Sequence, residues 1–423
     1  MAAKKQREYR KLLASGALDA AEREVERYLE RHPDDYDALV ALSAFRWRSG
    51  QLEDSRALMG AAAALGPRCV TGSHDPSKPS ILKFRSFEQN HFVIVEGRDG
   101  KHYTSLYCGH FATEHLLADT GRWNRYTADL HGRGFLERDA EHPWSLFINS
   151  ISDPDRGGAA LDVLAEYLRR HPDVPVINRP DRVALTSRDS NHRALQGIEG
   201  LISPNTVRFR SDETNAKLLA GLLAARGFAT PVILRQVGTQ TGQTVTLITD
   251  ADQLERYLAE AMPGKEHYAI QYFDTRGPEG RHHKTRVFFV DGRMYPVAAL
   301  SSDAWEIHSN DRYRIMDKEA WTRRREEAFL NDPEAFLGTA TLRRLEAIRD
   351  ALGLDFFGID FTKLEDGRLL VFEANGAMRH NFDHADNFPY TRPHLERVTQ
   401  AFTRMVEERL QAYERRQRSY APS

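Results

Sequence analysis

The segment GIDFTKLEDGRLLVFEAN, residues 358–375, constrains this chain more than any other stretch. Two β-rich runs flank Asp366-Gly367, a dipeptide suited to the positive φ angles of a two-residue type I′ hairpin turn. Such a loop pairs residues whose numbers share the sum of the two loop positions, which sets Asp360 directly opposite Glu373. Opposed residues carry their side chains on one face, about 5 Å apart at Cβ. Asn375 falls on that same face, while Ile359, Phe361, Phe372 and Ala374 make an apolar face for a core. Two carboxylates and an amide at one spot repel one another unless a cation lies between them. Hard oxygen ligands suit Mg2+, which shares its shell with nucleotide phosphates. A solvated acidic face is the competing account, but so apolar a hairpin favours a buried site, with Asp360, Glu373 and Asn375 as metal ligands.

The rest of the 423 residues falls into three patterns. Residues 1–72 read as helical, with Pro33 and Pro67 standing 34 residues apart, each closing a helix-turn-helix. Ala38, Leu39, Leu42 and Phe45 form one stripe, and Ala57, Ala61 and Ala64 let a paired helix approach closely. The spacing resembles tetratricopeptide repeats. About two copies fall short of the three or so that such stacks need, so the segment is expected to dock on the remainder of the chain. It serves there either as a helical cap or as a groove for a peptide or protein partner. Residues 81–185 alternate strands (ILKFRSF, HFVIVEG, WSLFINSI, VPVIN) with the amphipathic helix GGAALDVLAEYLRRH, and Asp99-Gly100 marks a hairpin. That series predicts a parallel α/β layer, with Asn149, Asp153 and Asn178 at strand ends as ligand positions or turn formers. Residues 186–416 make a third unit that ends in the hairpin and a long helix.

Composition excludes several classes. A formal charge of −2 gives no case for nucleic acid or an anionic membrane. Two cysteines, Cys69 and Cys108, make neither a disulfide framework nor a thiolate zinc site. The start MAAKKQREYRKLL lacks the apolar core of a signal peptide, and no run approaches the roughly 20 apolar residues of a membrane span. A cytoplasmic location is expected.

Four further stretches carry chemistry. PVILRQVGTQTGQTV (231–245) ends a strand in Arg235 and places Gly238, Thr239, Thr241 and Gly242 in a loop whose amides and hydroxyls can approach phosphate, although a plain hairpin would read the same way. AIQYFDT (269–275) offers Gln271, Tyr272, Phe273 and Asp274. HHKTRVFFVDGRMYP (282–296) turns at Asp291-Gly292 and begins with Lys284 and Arg286 on one face. SSDAWEIHSNDRYRI (301–315) is too polar and aromatic for a core element and presents Trp305, His308 and Arg312, while Arg379 and His380 follow the metal hairpin.

Over about residues 150–390 these stretches resemble the ATP-grasp superfamily, which includes glutathione synthetase, D-alanine ligase and the ribosomal-protein glutamate ligases. The resemblance implies an α+β/α/β chain: an ATP-grasp fold at 186–416 with a mobile lid near 205–275, a preceding α/β domain at 81–185, and the helical repeat segment. It implies ATP and one or two Mg2+ ions, with Mn2+ as a substitute, on Asp360, Glu373 and Asn375. Arg235 and the 238–242 loop would cover the phosphates, and Gln271, Tyr272, Phe273 and Asp274 would hold the nucleoside. Arg286, with Lys284, would act on the transferred phosphoryl group. The superfamily's two usual lysines are arginines here: Arg235, and Arg188 or Arg193 in TSRDSNHRALQ (186–196), of which Arg193 is assigned to ATP. His308, Arg312 and Arg379 would meet the substrate. The implied reaction joins a small-molecule or peptide carboxylate to an amine through an acyl phosphate. Alternatives are a kinase, or a repeat-based interaction protein with a degenerate ATP site.

Overall fold

The computed structural model describes residues 7–420 apart from 71–72, 98, 108, 118–120, 138–141, 240–241 and 243, so Cys108 and Thr241 lie outside the described residues. Four helices come first: α1 (Glu8–Ala14), α2 (Leu18–Leu29), α3 (Tyr36–Arg48) and α4 (Leu52–Ala63). Asp35 caps α3 by accepting from the Ala38 amide at 3.0 Å. Every residue of α3 from Ala38 to Phe45 is buried, because the helix is covered on two sides. Ala38, Ala41 and Phe45 meet Tyr9 and Val25 of the first helix pair. Leu39, Val40 and Ala44 meet Phe87 and Phe92 of the following unit.

That unit holds β1 (Arg68–Cys69), β2 (Ser80–Ser86), the hairpin β3 (His91–Glu96) and β4 (His102–Tyr107), β5 (Asn124–Leu130), β6 (Trp144–Asn149), α5 (Pro154–Arg170), β7 (Val176–Ile177) and α6 (Pro180–Val183). Its sheet runs β1-β5-β2-β6-β7, parallel except at β1. Strand order reverses between β2 and β6, which opens a crevice at their carboxyl ends. Asn149 and Asn178 brace that edge. Asn149 Nδ2 donates to the Asn178 carbonyl at 2.9 Å, and Asn178, with φ of 59°, clamps the Phe356 backbone with Nδ2–O of 2.7 Å and Oδ1–N of 2.9 Å. Asp153 caps α5, accepting from the Asp155 amide at 3.0 Å.

After α7 (Arg188–Leu195) and β8 (Leu201–Ile202) comes an antiparallel unit of β9 (Thr206–Arg210), α8 (Ala216–Ala225), β10 (Val232–Gln236), β11 (Thr246–Ile248), α9 (Ala251–Glu260) and β12 (Glu266–Gln271). Its strands run β11-β10-β12-β9 over a separate core of Val207, Leu219, Leu223, Leu234, Leu254 and Ala269. The last unit is β13 (His282–Val290), β14 (Arg293–Ser302), α10 (Ala320–Asn331), α11 (Pro333–Leu337), α12 (Thr339–Leu352), β15 (Phe356–Lys363), β16 (Leu369–Asn375) and α13 (Arg392–Tyr420), with strand order β14-β13-β15-β16-β8. One face of this sheet (Phe357, Ile359, Phe361) packs with Leu345 and Ile348 of α12, and the other (Phe288, Phe356) packs with Val398 and Phe402 of α13. Among the described residues no helix is long and apolar enough to cross a membrane.

The Asp-Gly turns at 291–292 and 366–367 differ. At Asp291-Gly292, Val290 pairs with Arg293 and both loop residues have positive φ, 48° and 75°, which is the two-residue type I′ form. At Asp366-Gly367 only the glycine is positive, at 81°, and Leu364 N bonds Arg368 O at 2.9 Å. The loop therefore has three residues, not the two expected, and pairing starts one position out of step, with Lys363 opposite Leu369. A bulge between Asp360 and Phe361 on the ladder absorbs the difference and sets Asp360 opposite Glu373 after all. The bulge turns Phe372 away from the core, where it was expected, and into the cavity described below, while Val371 takes the core position.

Asn178→Ala removes both bonds to Phe356 and puts a Cβ-only side chain at positive φ. The unfolding free energy is expected to fall by about 3 kcal/mol, from two buried backbone groups left unpaired at roughly 1–3 kcal/mol each. Chemical denaturation reads this, and Asn178→Gly, which relieves φ without restoring the bonds, should recover only a minor part.

Candidate functional site

A cavity of about 590 Å³ lies where the separate antiparallel unit, the large sheet and the carboxyl edge of the α/β layer meet. Asp360, Glu373 and Asn375 share its floor. Asp360 is 2% exposed, and Arg286, its ladder partner on β13, holds the carboxylate through Nε–Oδ1 of 2.6 Å and Nη2–Oδ2 of 2.8 Å. Lys284 Nζ stands 3.5 Å from Oδ2 and also donates to the Ile307 carbonyl. Burial alone would raise the Asp360 carboxyl, but the Arg286 and Lys284 charges outweigh it and hold it below the usual range. Glu373 Oε2 accepts from Arg188 Nη2 at 2.7 Å, and Arg188 Nη1 donates to the Phe372 carbonyl at 3.3 Å. Asn375 Oδ1 is buried and receives no hydrogen bond.

An orphaned carbonyl oxygen costs about 1–3 kcal/mol, and this one sits beside two carboxylates that retain unused lone pairs. The three side chains therefore fit a hard divalent cation such as Mg2+. No cluster of three His, Cys, Asp or Glu side chains able to hold a metal occurs among the described residues, so such an ion would complete its shell with ligand oxygens and water.

Facing this floor is Arg235 on β10, whose Nη2 donates to the Thr239 carbonyl. Burial and the neighbouring charge of Arg188 push its guanidinium down to about 10. A guanidinium held down by a like charge inside a cavity calls for an anion between the two. Gly238 and Gly242 have φ of 74° and 75°, and Thr239 Oγ1 donates to the Gln236 carbonyl at 2.7 Å. The loop reaches the opposite wall: a Cβ on Gly242 would lie 2.6 Å from His308 Cε1, and His308 Nε2 stands 3.1 Å from Glu306. Gln271, Tyr272 and Phe273 line the cavity, Gln271 Oε1 accepts from Asn205 Nδ2 at 3.0 Å, and Tyr272 meets Trp305 edge-on.

Several expected positions change. Arg193 is not in the cavity; it bonds Ser190 Oγ at 2.9 Å and pairs with Asp189 at 3.4 Å on the outer side of α7. Five helical residues separate it from Arg188, a turn of about 140°, so the two cannot face one way, and Arg188 is the one that enters. Asp274 lies outside the cavity lining and is held by Arg276. Arg312 borders the cavity, but its guanidinium is turned onto Glu326, with Nη2–Oε1 of 2.6 Å, and that carboxylate also accepts from Tyr390 at 2.8 Å. A cation so buried and so paired is architecture. Arg379 sits at the rim, largely exposed, 3.9 Å from Asp383. His380 is buried against Thr399 and burial pushes its imidazole down to about 4.

One group of residues went unread in the sequence. Arg208 on β9 and Tyr268 on β12 are ladder partners, and together they grip Asp155 at the start of α5 and Asp189 on α7. Arg208 Nη2 is 2.6 Å from Asp155 Oδ1 and 3.1 Å from Asp189 Oδ1, and Tyr268 donates to Asp155 Oδ2 at 2.7 Å. Arg156 adds a strap, with Nη1 to the Gly238 carbonyl at 3.3 Å and Nη2 to the Gln89 carbonyl at 2.6 Å. Only the strand pairing of β9 with β12 brings the cluster together, and no local spacing shows it. Arg208→Met should release the antiparallel unit, raising amide exchange across residues 206–271 while leaving that of β13–β16 unchanged. Equal exchange in both regions would refute the latch.

No family model matches this chain, and no curated protein does. Solved structures do. D-alanine–D-alanine ligase from Bacillus anthracis, complexed with ATP, is 14% identical with a TM-score of 0.44, over 80% of this chain and 99% of that one. VanG D-Ala:D-Ser ligase from Enterococcus faecalis is 11% identical with a TM-score of 0.45, over 78% and 99%. A RimK-domain ATP-grasp protein from Sphaerobacter thermophilus is 15% identical with a TM-score of 0.44, over 77% and 99%.

Proposed function

We propose that this chain is an ATP-dependent carboxylate–amine ligase of the ATP-grasp type. The observation that carries the reading is the cavity floor. Asp360 and Glu373 face the same space as the orphaned Asn375 oxygen; Arg188 holds Glu373, and Arg235 across the cavity makes no ion pair among the described residues. That pattern suits a polyphosphate with its divalent cation. Phosphoryl transfer needs positioning and charge neutralisation more than a protein nucleophile, and these are the means the site has.

Asp360, Glu373 and Asn375 would hold Mg2+, which supplies neutralisation of phosphate oxygens when bound. Arg235 and the Gly238–Gly242 loop would cover the phosphates, and the Gln271–Phe273 strand end would border the nucleoside. A carboxylate oxygen of the substrate attacks the γ-phosphorus; the bond from phosphorus to the bridging oxygen breaks and ADP leaves. The amine nitrogen then attacks the acyl carbon, the C–O bond to phosphate breaks, and the amine proton is lost. Lys284 and Arg286 place two positive charges beside Asp360, where the charge of the transferred group would develop. The polar latch keeps the loop over the cavity and water away from the acyl phosphate.

A screen of carboxylates against amines, read by ADP release, tests the reading. Glu373→Gln and Asp360→Asn are each expected to lower turnover on the order of a hundred-fold or more, with circular dichroism unchanged. Near-normal turnover in both removes the metal assignment, and a stable phosphorylated product without a new amide removes ligation. Arg235→Ala should chiefly raise the KM for ATP; a change confined to the carboxylate's KM would place the two substrates the other way round.

A further inference from the structure

The β3–β4 hairpin meets the helical segment on one side and the start of α5 on the other, and its contacts on the two sides line up. Trp47 of α3 stacks on His91 of β3, with ring centroids 3.6 Å apart and planes 12° apart. His91 stacks in turn on its ladder partner Tyr107 of β4, at 5.1 Å and 29°. The guanidinium of Arg156, in the first turn of α5, lies 5.0 Å from the centre of the Tyr107 ring. Its fork then divides: Nη2 donates to the Gln89 carbonyl at 2.6 Å and Nη1 to the Gly238 carbonyl at 3.3 Å. One row of contacts therefore runs from the helical segment to the loop that borders the cavity.

The row is held firmly along its length. Arg156 is 8% exposed, and a Cβ on Gly238 would stand 3.3 Å from Arg156 Cγ, so the loop rests on the stem of this arginine as well as on its fork. The chain leaving β4 is fastened to the same helix start. There the Gly109 carbonyl accepts from the Ser152 and Asp153 amides at 2.9 and 3.0 Å, and a Cβ on Gly109 would overlap Asp153 Cβ at 2.2 Å. Phe87 and Phe92 pack with Leu39, Val40 and Ala44 of α3, so the hairpin cannot shift without breaking an apolar core. Burial and the Arg156 charge push the His91 imidazole down to about 4. The ring is therefore neutral at physiological pH and stacks without repelling the guanidinium.

On the reading of residues 238–242 as the phosphate-covering loop, we propose that Arg156 is a positioning residue for that loop, held in place by the hairpin and the helical segment. A peptide plane carries its C=O and its N–H on opposite sides. Arg156 is not part of the cavity lining, whereas Gly238 and Thr239 are. Fastening the Gly238 carbonyl outward to Arg156 turns the Thr239 N–H inward, where a phosphate oxygen would accept from it. Without the strap the plane can rotate and present its carbonyl, which repels phosphate. The helical segment thus bears on nucleotide affinity through Trp47 and His91 without touching the ligand.

The experiment compares the full natural chain with Arg156→Met, Arg156→Lys, His91→Ser and His91→Phe. One readout is amide exchange without nucleotide at Gln236, Val237 and Val245, whose N–H groups bond Thr244 Oγ1 and the Glu266 and Gly242 carbonyls. The other is Mg-ATP affinity by calorimetry. Arg156→Met is expected to speed exchange at those amides, leave α8 unchanged, and weaken Mg-ATP about ten-fold, the size of one lost charge-assisted hydrogen bond. Arg156→Lys keeps the charge but has no fork to reach Gln89 and Gly238 together, so its exchange should follow Arg156→Met. His91→Ser should move both readouts the same way, and His91→Phe, which restores a ring between Trp47 and Tyr107, should return them to natural values. The His91 pair carries the test should Arg156→Met fail to fold. Loop exchange unmoved by Arg156→Met or by His91→Ser overturns the proposal, as does exchange that rises equally across residues 206–271. A natural chain that binds no Mg-ATP removes the ligase reading instead, and a loop that still responds to Arg156→Met then leaves the strap standing.

Discussion

Asp360 and Glu373 stand opposite each other on adjacent strands whose other face is packed core, so neither can turn away from its neighbour. Like charges in that relation are destabilising, and burial compounds the cost. The structure resolves it with a guanidinium for each. Arg286 comes from the next strand in the ladder, which requires β13 to lie beside β15. Arg188 comes from α7, which requires that helix to lie along β16, where Asn191 Nδ2 donates to the Ala374 carbonyl at 3.0 Å. The segment after β16 then closes onto β15 so tightly that a Cβ at Gly358 would sit 2.4 Å from Met378 Sδ. Helix, sheet and return loop are thus arranged around two carboxylates.

How much of this is legible beforehand depends on how far away each partner lies. The hairpin is legible because its strands are contiguous, and even there the turn count reaches the correct pairing by a different route. Glu365, charged and free to leave the strand, enters the loop, and the Phe372 bulge compensates. At Asp291-Gly292 the residue before the turn is Val290, buried at 1% exposure, and burial keeps it in the ladder and the loop at two residues. The helical periodicity that separates Arg188 from Arg193 is equally local. Arg312 and Arg208 are another matter. Each has the composition of a binding residue, and what decides its role is Glu326 for one and Asp155 with Asp189 for the other, on elements that only the tertiary fold brings near.

The antiparallel unit at 206–271 keeps an apolar core of its own, and its attachments to its neighbours near the cavity are polar. Arg208 and Tyr268 hold Asp155 and Asp189, and Arg156 holds the Gly238 carbonyl. Burial in place outweighs nothing decisive here: the Asp189 carboxyl, which burial alone would raise, is brought down to about 2 by Arg208. Contacts of this kind can break without exposing a hydrophobic surface, since each group regains water when it leaves its partner. An apolar interface of the same extent would hold the unit shut. A polar latch between units with separate cores can therefore release without unfolding either of them.

The same geometry explains why positions 188 and 235 carry arginine. Arg188 must satisfy Glu373 and the Phe372 carbonyl while still presenting N–H groups to the cavity, and one planar fork with five donors spans those directions at once. An ammonium on a lysine stem is a single point; placed to neutralise Glu373 it would leave the bulged carbonyl unbonded. Arg235 meets a similar demand, tying the Thr239 carbonyl of the loop while its charge is felt by the same cavity as that of Arg188. In both places the side chain organises the backbone of the site as well as charging it. The bulge at Phe372 and the loop at Gly238–Gly242 create those extra carbonyl demands, so a guanidinium rather than an ammonium at each place follows from the local backbone.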